Sequence, residues 1–375
     1  MLKWTLASRL AVVGAGAVLA LARTAYAADV PTADDLARFV AGLPPSAGSP
    51  LEPLAKDPSW QRHAQSFNAA WQHLDKTQLS KIRTWSSHKL TDAQPVLYYM
   101  FSGPDFLYAD TFFPNADTYV LSGLEPVGTV PNLAALPRGT VAQDLQELRG
   151  SLSSVLSYSF FITKKMKVQL HTSHMTGTLP ILYTFLERSG HAVRETSFVE
   201  LDDQGVEHPG GQAASKSQAK GVKITFDGGG HTKTLYYFST DLSDDGFKTS
   251  GFLKFCDKLG RGDSFVKSAS YLMHSDAFSV VRSFVVDHSV SLVQDDSGVP
   301  VRFFKAEDWD LRPFGNYLQP ISLFPKGYQP QLGTLFPKGP REPLDFGIGY
   351  RWHPRESNLL VAVRKDSKRA QSGTK

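Results

Sequence analysis

The chain has 375 residues, of which 41% are hydrophobic, 20% charged and 11% aromatic. That composition excludes a disordered or fibrous chain and is ample for a buried core. The formal charge of +4 is carried by the two ends rather than by a face, which argues against a nucleic-acid binder.

The first residues read as a secretory leader. Lys3 and Arg9 precede an apolar run from Leu10 to Ala22, and Ala25-Tyr26-Ala27 is a small-x-small cleavage site. Cleavage leaves a chain that begins at Ala28. The run is too short to span a bilayer, which takes about 20 residues, and no later segment is long and apolar enough. Lys3, Arg9 and Arg23 leave with the leader and no acid does, so the charge falls from +4 to +1. The expectation is a soluble periplasmic or secreted protein with no membrane span after cleavage. Cys256 is the only cysteine, so no intramolecular disulfide forms despite the oxidising compartment. It falls on an apolar helical pattern and reads as a buried thiol.

Residues 28–93 predict a helical N-terminal cap. A short helix starts at Asp34 and stops before Gly42 and Pro44-Pro45. Trp60, Phe67, Trp71 and Leu74 then recur at helical spacing. An α/β core follows over 94–298. Val96 to Phe101 and Thr118 to Leu121 read as buried strands around a helix from Phe106 to Phe113. Residues 133–170 read as mostly helical, and Ile181 to Leu186 as a further helix. Ser197 to Leu201 is a strand, and Val222–Phe226 with Thr234–Phe238 is a hairpin. A helix from Gly251 to Leu259 precedes strands at Ala269–Met273 and Val290–Val293, with a helix from Phe278 to Val286 between them. Residues 299–363 predict a β- and turn-rich C-terminal wrap, and 364–375 a basic tail. The fold class is α/β, a mixed sheet with a helical cap.

Two internal similarities stand out. Leu323-Phe-Pro-Lys-Gly327 recurs as Leu335-Phe-Pro-Lys-Gly339, which reads as two turns of similar build. Tyr99-Met-Phe-Ser-Gly-Pro-Asp105 resembles Tyr271-Leu-Met-His-Ser-Asp276, with Phe113 and Phe284 each eight residues beyond the Asp and Glu125 and Asp296 each twenty beyond. Two related βαβ-like halves would produce that spacing, as in doubly wound folds.

Five stretches carry a wider resemblance: Phe101-Ser-Gly-Pro-Asp-Phe-Leu-Tyr108, Leu124-Glu-Pro-Val-Gly128, Tyr237-Phe-Ser-Thr-Asp-Leu-Ser243, Ala269-Ser-Tyr-Leu-Met-His274 and Gly347-Ile-Gly-Tyr-Arg-Trp352. The chain resembles, over most of its mature length, a family of exported bacterial proteins to which no activity is attached. The resemblance implies export and no particular chemistry.

Several chemical motifs start and fail. Asp241-Leu-Ser-Asp-Asp-Gly246 opens like a calcium loop, but the twelfth position is Phe252 rather than a bidentate Glu; it reads as a capping loop. Gly262-Asp-Ser-Phe265 echoes an esterase nucleophile block without the later Asp-x-x-His. His171 and His174 could share a helix face without completing a metal motif. Gly103 followed by Glu125 has the spacing of a dinucleotide-binding turn and its ribose-binding acid, without the Gly-x-Gly-x-x-Gly turn.

What remains is a set of polar strand ends: Ser102 and Asp105, Glu125, Ser239 and Asp241, His274 and Asp276, Asp295 and Asp296. In open α/β sheets ligands bind outside the carboxyl ends of the strands. His274, Asp276 and Asp105 are the candidate catalytic groups, with Asp276 orienting the His274 imidazole as a base. Ser102, Glu125, Ser239, Asp241, Asp295 and Asp296 are the candidate ligand-binding groups. No organic cofactor is expected; a divalent cation would suit converging carboxylates. The functional expectation is a binding or accessory protein of the cell envelope, using an acidic cleft to take a small molecule or envelope component. The alternative is a hydrolase of an envelope or extracellular polymer working by His/carboxylate acid–base chemistry.

Overall fold

The computed structural model describes residues 30–158, 174–212, 219–338 and 342–366. Residues 1–29, where the sequence predicts a leader, lie outside the described residues, as do His171, Gly339 and the end of the tail.

Three helices of eight residues or more open the described residues, with a four-residue helical turn at Glu52–Ala55 between the first two. Thr32 caps α1 (Ala33–Val40) by accepting from the Asp35 amide at 3.0 Å. Asp57 caps α2 (Pro58–Leu74), which a π turn joins to α3 (Ser80–Lys89). The first parallel unit follows as β1 (Val96–Tyr99), α4 (Phe106–Phe112) and β2 (Thr118–Gly123). Next come α5 (Arg138–Tyr158) and α6 (Leu179–Arg188), then an antiparallel group, β3 (Ala192–Leu201), β4 (Glu207–Pro209), β5 (Ala219–Gly228) and β6 (His231–Ser239). The second parallel unit is β7 (Gly262–Val266), α8 (Ser279–His288) and β8 (Ser289–Gln294), preceded by α7 (Phe252–Leu259). The chain closes with β9 (Trp309–Gly315), α9 (Pro330–Lys338) and β10 (Asn358–Arg364).

The ten strands among the described residues form one open mixed sheet in the order β4-β3-β5-β6-β2-β1-β7-β8-β10-β9. The five central strands, β6, β2, β1, β7 and β8, run parallel, and antiparallel strands finish both sides. From β1 the chain steps to β2 and later to β6 on one side. It then returns to β7 on the other side of β1, so the direction of winding reverses between β1 and β7. Helices cover both faces, as a parallel sheet requires. The pleat sorts the side chains: Leu97 and Tyr99 of β1 join one core with Phe39, Trp60, Phe67 and Leu152, whereas Val96 and Tyr98 join a second with Phe252, Cys256 and Phe284. The N-terminal helices therefore belong to one of the two covering layers and share its continuous core. No described helix is long and apolar enough to cross a membrane.

Three local expectations are corrected. The strand is Gly262–Val266, not Ala269–Met273, which forms a loop and a 3-10 turn. Asp263 and Ser264 disguise this strand, but both are buried and bonded sideways. Asp263 accepts from the Gln94 amide at 2.8 Å and the Ser291 hydroxyl at 2.7 Å, and the Ser289 hydroxyl donates to Ser264 at 2.7 Å. Ser264 is thus a buried strand residue. The repeated pentapeptide takes two forms: Pro325–Gly327 is a 3-10 turn, but Leu335 to Lys338 lies in α9. Finally, the two βαβ units are real, but the similar sequences within them are offset. Tyr99 ends β1, while Tyr271 lies five residues beyond β7, so only Glu125 and Asp296, each two residues past its strand, match in place.

Candidate functional site

A cavity of about 400 Å³ lies outside the carboxyl ends of β1, β2, β6 and β7, at the reversal between β1 and β7. Its walls come from the loops after those strands and from Phe278 before α8. This is the crevice where ligands bind in doubly wound sheets, and the volume is in the usual range for a small molecule.

The β1 loop is fastened to β2. The Ser102 hydroxyl donates to Ser122 O at 3.2 Å and accepts from the Ser122 amide at 3.1 Å, and the Gly103 amide donates to Ser122 O at 3.2 Å. Gly103 has φ +55°, which favours glycine. Glu125 lies against this pair of turns. A Cβ at Gly123 would stand 2.4 Å from Glu125 Oε2 and 3.0 Å from Gly103 Cα, so glycine at 123 is what lets the carboxylate sit there. The buried Tyr237 hydroxyl donates to Glu125 O at 2.8 Å and reaches Oε2 at 3.4 Å.

Asp105 has two tasks. One oxygen caps α4 by accepting from the Tyr108 amide at 3.3 Å. The other accepts from the Tyr99 hydroxyl at 2.9 Å and pairs with Lys267 Nζ at 2.7 Å. Both side chains of the ion pair are at most 2% exposed, and Nζ stands 3.9 Å from the centre of the Tyr108 ring, a cation–π distance. Burial pushes the Asp105 carboxyl up and the Lys267 ammonium down, each partly opposed by the other's charge.

Lys267 begins the β7 loop, which is strained and heavily tied. Ser268, Ser270 and Tyr271 here, with Phe101 in the β1 loop, are four of the five non-glycine residues with positive φ among the described residues. Such conformations cost on the order of 1–3 kcal/mol each and persist only where the surroundings over-determine them. Here Asp295 Oδ2 accepts from the Ser268 amide at 2.9 Å, and the Ser297 hydroxyl accepts from the Ala269 amide at 2.8 Å. The Tyr350 hydroxyl donates to Ser268 O at 2.9 Å and accepts from the Ser270 amide at 3.2 Å. Tyr271 donates to Asp296 at 2.6 Å. Burial, with Asp296 beside it, pushes the Asp295 carboxyl up to about 7, and burial also raises Asp296.

Of the nine sequence-derived candidates, Ser102, Asp105, Glu125 and Asp241 line this cavity. Asp241 is exposed and accepts from the Ser243 amide at 2.9 Å, while Ser243 caps the turn that follows, as the capping-loop reading expects. Among the described residues no group of three metal-ligating side chains converges. Ser239 ends β6 one residue short of the cavity, and Thr240 takes its place in the wall. Asp295 and Asp296 stand behind the β7 loop and brace it. His274 and Asp276 are corrections. Asp276 projects into solvent, 3.7 Å from Arg282 Nη2, and does not orient the imidazole. His274 lies outside the cavity wall, packs on Tyr271 with ring centres 5.1 Å apart, and is pushed down to about 4 by burial, with Arg302 and Arg282 adding to the shift. His174 pairs with Asp144 at 3.4 Å.

Sequence reasoning missed Lys267, Tyr99, Ser268 and Ser270. The reason is the disguised strand: with β7 placed too late, Lys267 fell in a turn instead of at a strand end. Comparison with known proteins gives no matching family model, no matching curated protein and no matching solved structure.

Proposed function

We propose that the protein is an exported, soluble binding protein for a small sugar or polyol, held in the cavity at the reversal between β1 and β7. The observation that carries this reading is the make-up of the cavity wall. Glu125, Asp241 and the hydroxyls of Ser102, Thr240, Ser268 and Ser270 offer acceptors, while Phe101, Leu124, Leu272 and Phe278 offer apolar faces. A ligand that suits both carries many O–H donors around a C–H framework, which describes a polyol. Carboxylates accept strongly from hydroxyls in a sheltered site. Leu124 is 61% exposed, so part of the apolar wall is open to an incoming ligand.

Binding is favoured over the hydrolase reading because His274, its proposed base, stands away from the cavity. The test is a thermal unfolding series with alditols of four to six carbons. A ligand of the native state raises Tm with concentration. Binding in the cavity predicts a saturable rise that Glu125→Gln abolishes without lowering the variant's own Tm. A panel that leaves Tm unchanged, or a rise that survives Glu125→Gln in full, contradicts it.

A further inference from the structure

The Asp105–Lys267 pair asks for an explanation that the binding of hydroxyls does not supply. Taking two charges out of water costs more than a single contact usually returns, so such a pair is poor evidence of a structural role. It sits in the wall of a ligand-sized cavity, and Tyr99 holds the carboxylate oxygen that faces the ammonium. The surroundings are aromatic: Tyr99, Tyr108, Phe265 and Phe106 are all buried. In such a medium burial favours the neutral form of each group, and the 2.7 Å between nitrogen and oxygen lets one proton pass from Lys267 to Asp105. Burial moves the two groups towards each other in that sense. The site thus sets an amine group and a carboxyl group within proton-transfer distance in the wall of a cavity, the arrangement that carbonyl chemistry needs.

We propose that Lys267 forms a reversible imine with the carbonyl carbon of an aldose bound in this cavity, with Asp105 carrying the protons. The proposal rests on the binding reading above and narrows it from polyols to sugars with a free aldehyde.

The step balances without any oxidant or reductant. Lys267 passes a proton to Asp105 and its nitrogen lone pair attacks the carbonyl carbon. The π electrons move to oxygen, which takes the proton from Asp105. The nitrogen of the carbinolamine returns a proton to Asp105, and the hydroxyl takes it and leaves as water. The products are a protonated imine beside the Asp105 carboxylate and one water. Tyr99 is a positioning residue, since its hydroxyl fixes the same oxygen.

The test uses D-erythrose and its carbonyl-free counterpart erythritol as probes. The full protein is incubated with erythrose and cyanoborohydride, which traps an imine as a stable amine, and the modified peptides are mapped by mass. The expected result is one equivalent of adduct at Lys267, formed about tenfold or more faster than at any exposed lysine, because the cavity holds the aldehyde beside the amine. Lys267→Arg keeps a cation beside Asp105 and forms no imine, so it should lose that adduct. An adduct confined to exposed lysines, with erythritol still raising Tm, overturns the imine and leaves the binding reading standing. The same adduct pattern with no rise in Tm overturns both.

Discussion

Lys267 Nζ stands 2.7 Å from Asp105 Oδ2, and this contact joins the loops that follow β1 and β7 across the line where the sheet reverses. Asp105 also caps α4 and holds Tyr99, so one carboxylate ties a strand, a helix and a neighbouring loop together. Removing one partner strands the other in an apolar interior. Lys267→Met and Asp105→Asn should each cost about 3–5 kcal/mol, and the double variant less than their sum, because no unpaired charge remains. Urea denaturation of the four proteins measures this. Costs that simply add would mean the two groups do not interact.

The β7 loop makes a second prediction. Tyr350 bonds Ser268 and Ser270, two of the three left-handed residues in that loop. Tyr350→Phe removes the hydroxyl and keeps the ring packed against Tyr271 and Phe324. Global stability should fall by about 1 kcal/mol, while amide hydrogen exchange accelerates at Ser268, Ser270 and Tyr271. Unchanged exchange at these amides would mean that the strain is held by Asp295 and Ser297 alone.

These two predictions depend on features of very different visibility in the sequence. β1, β2 and the hairpin of β5 and β6 were legible because their apolar runs are continuous or alternate cleanly. Ser102, Asp105, Glu125 and Asp241 were legible because each follows such a run. β7 was not, since Asp263 and Ser264 break its apolar pattern and are satisfied only by Gln94, Ser289 and Ser291, which are distant in sequence. Losing β7 hid Lys267 and moved attention to His274 and Asp276. Neither the left-handed backbone at Ser268 and Ser270 nor the support from Tyr350, 82 residues away, has a local signature.

A buried carboxyl on the opposite side of the molecule predicts a pH effect. Glu187 of α6 is pushed up to about 8, chiefly by burial and then by Asp34, while Arg38 at 3.8 Å and the Val193 amide pull it down. An acid whose pKa rises on folding adds stability below its unfolded value near 4.5 and loses it as pH rises through 8. Glu187→Gln cannot ionise. Its Tm relative to wild type should therefore climb between pH 5 and pH 9. A constant or falling difference would show that the Arg38 contact outweighs burial.

Export makes a simple prediction. Expressed with residues 1–27 in a Gram-negative host, the protein should be recovered from the periplasm with Ala28 as its first residue, by Edman sequencing or intact mass. Cytoplasmic protein that retains Met1 would contradict the reading of residues 1–27 as a leader.

The location of the ligand is the central claim, and amide chemical shifts read it residue by residue. Erythritol titrated into ¹⁵N-labelled protein should move the Gly103, Gly123, Ser268 and Ser270 amides along saturable curves with one common Kd, leaving amides at the opposite ends of the same strands still. Shifts that fail to saturate, or that gather away from the loops after β1, β2, β6 and β7, would contradict the assignment of the cavity as the binding site.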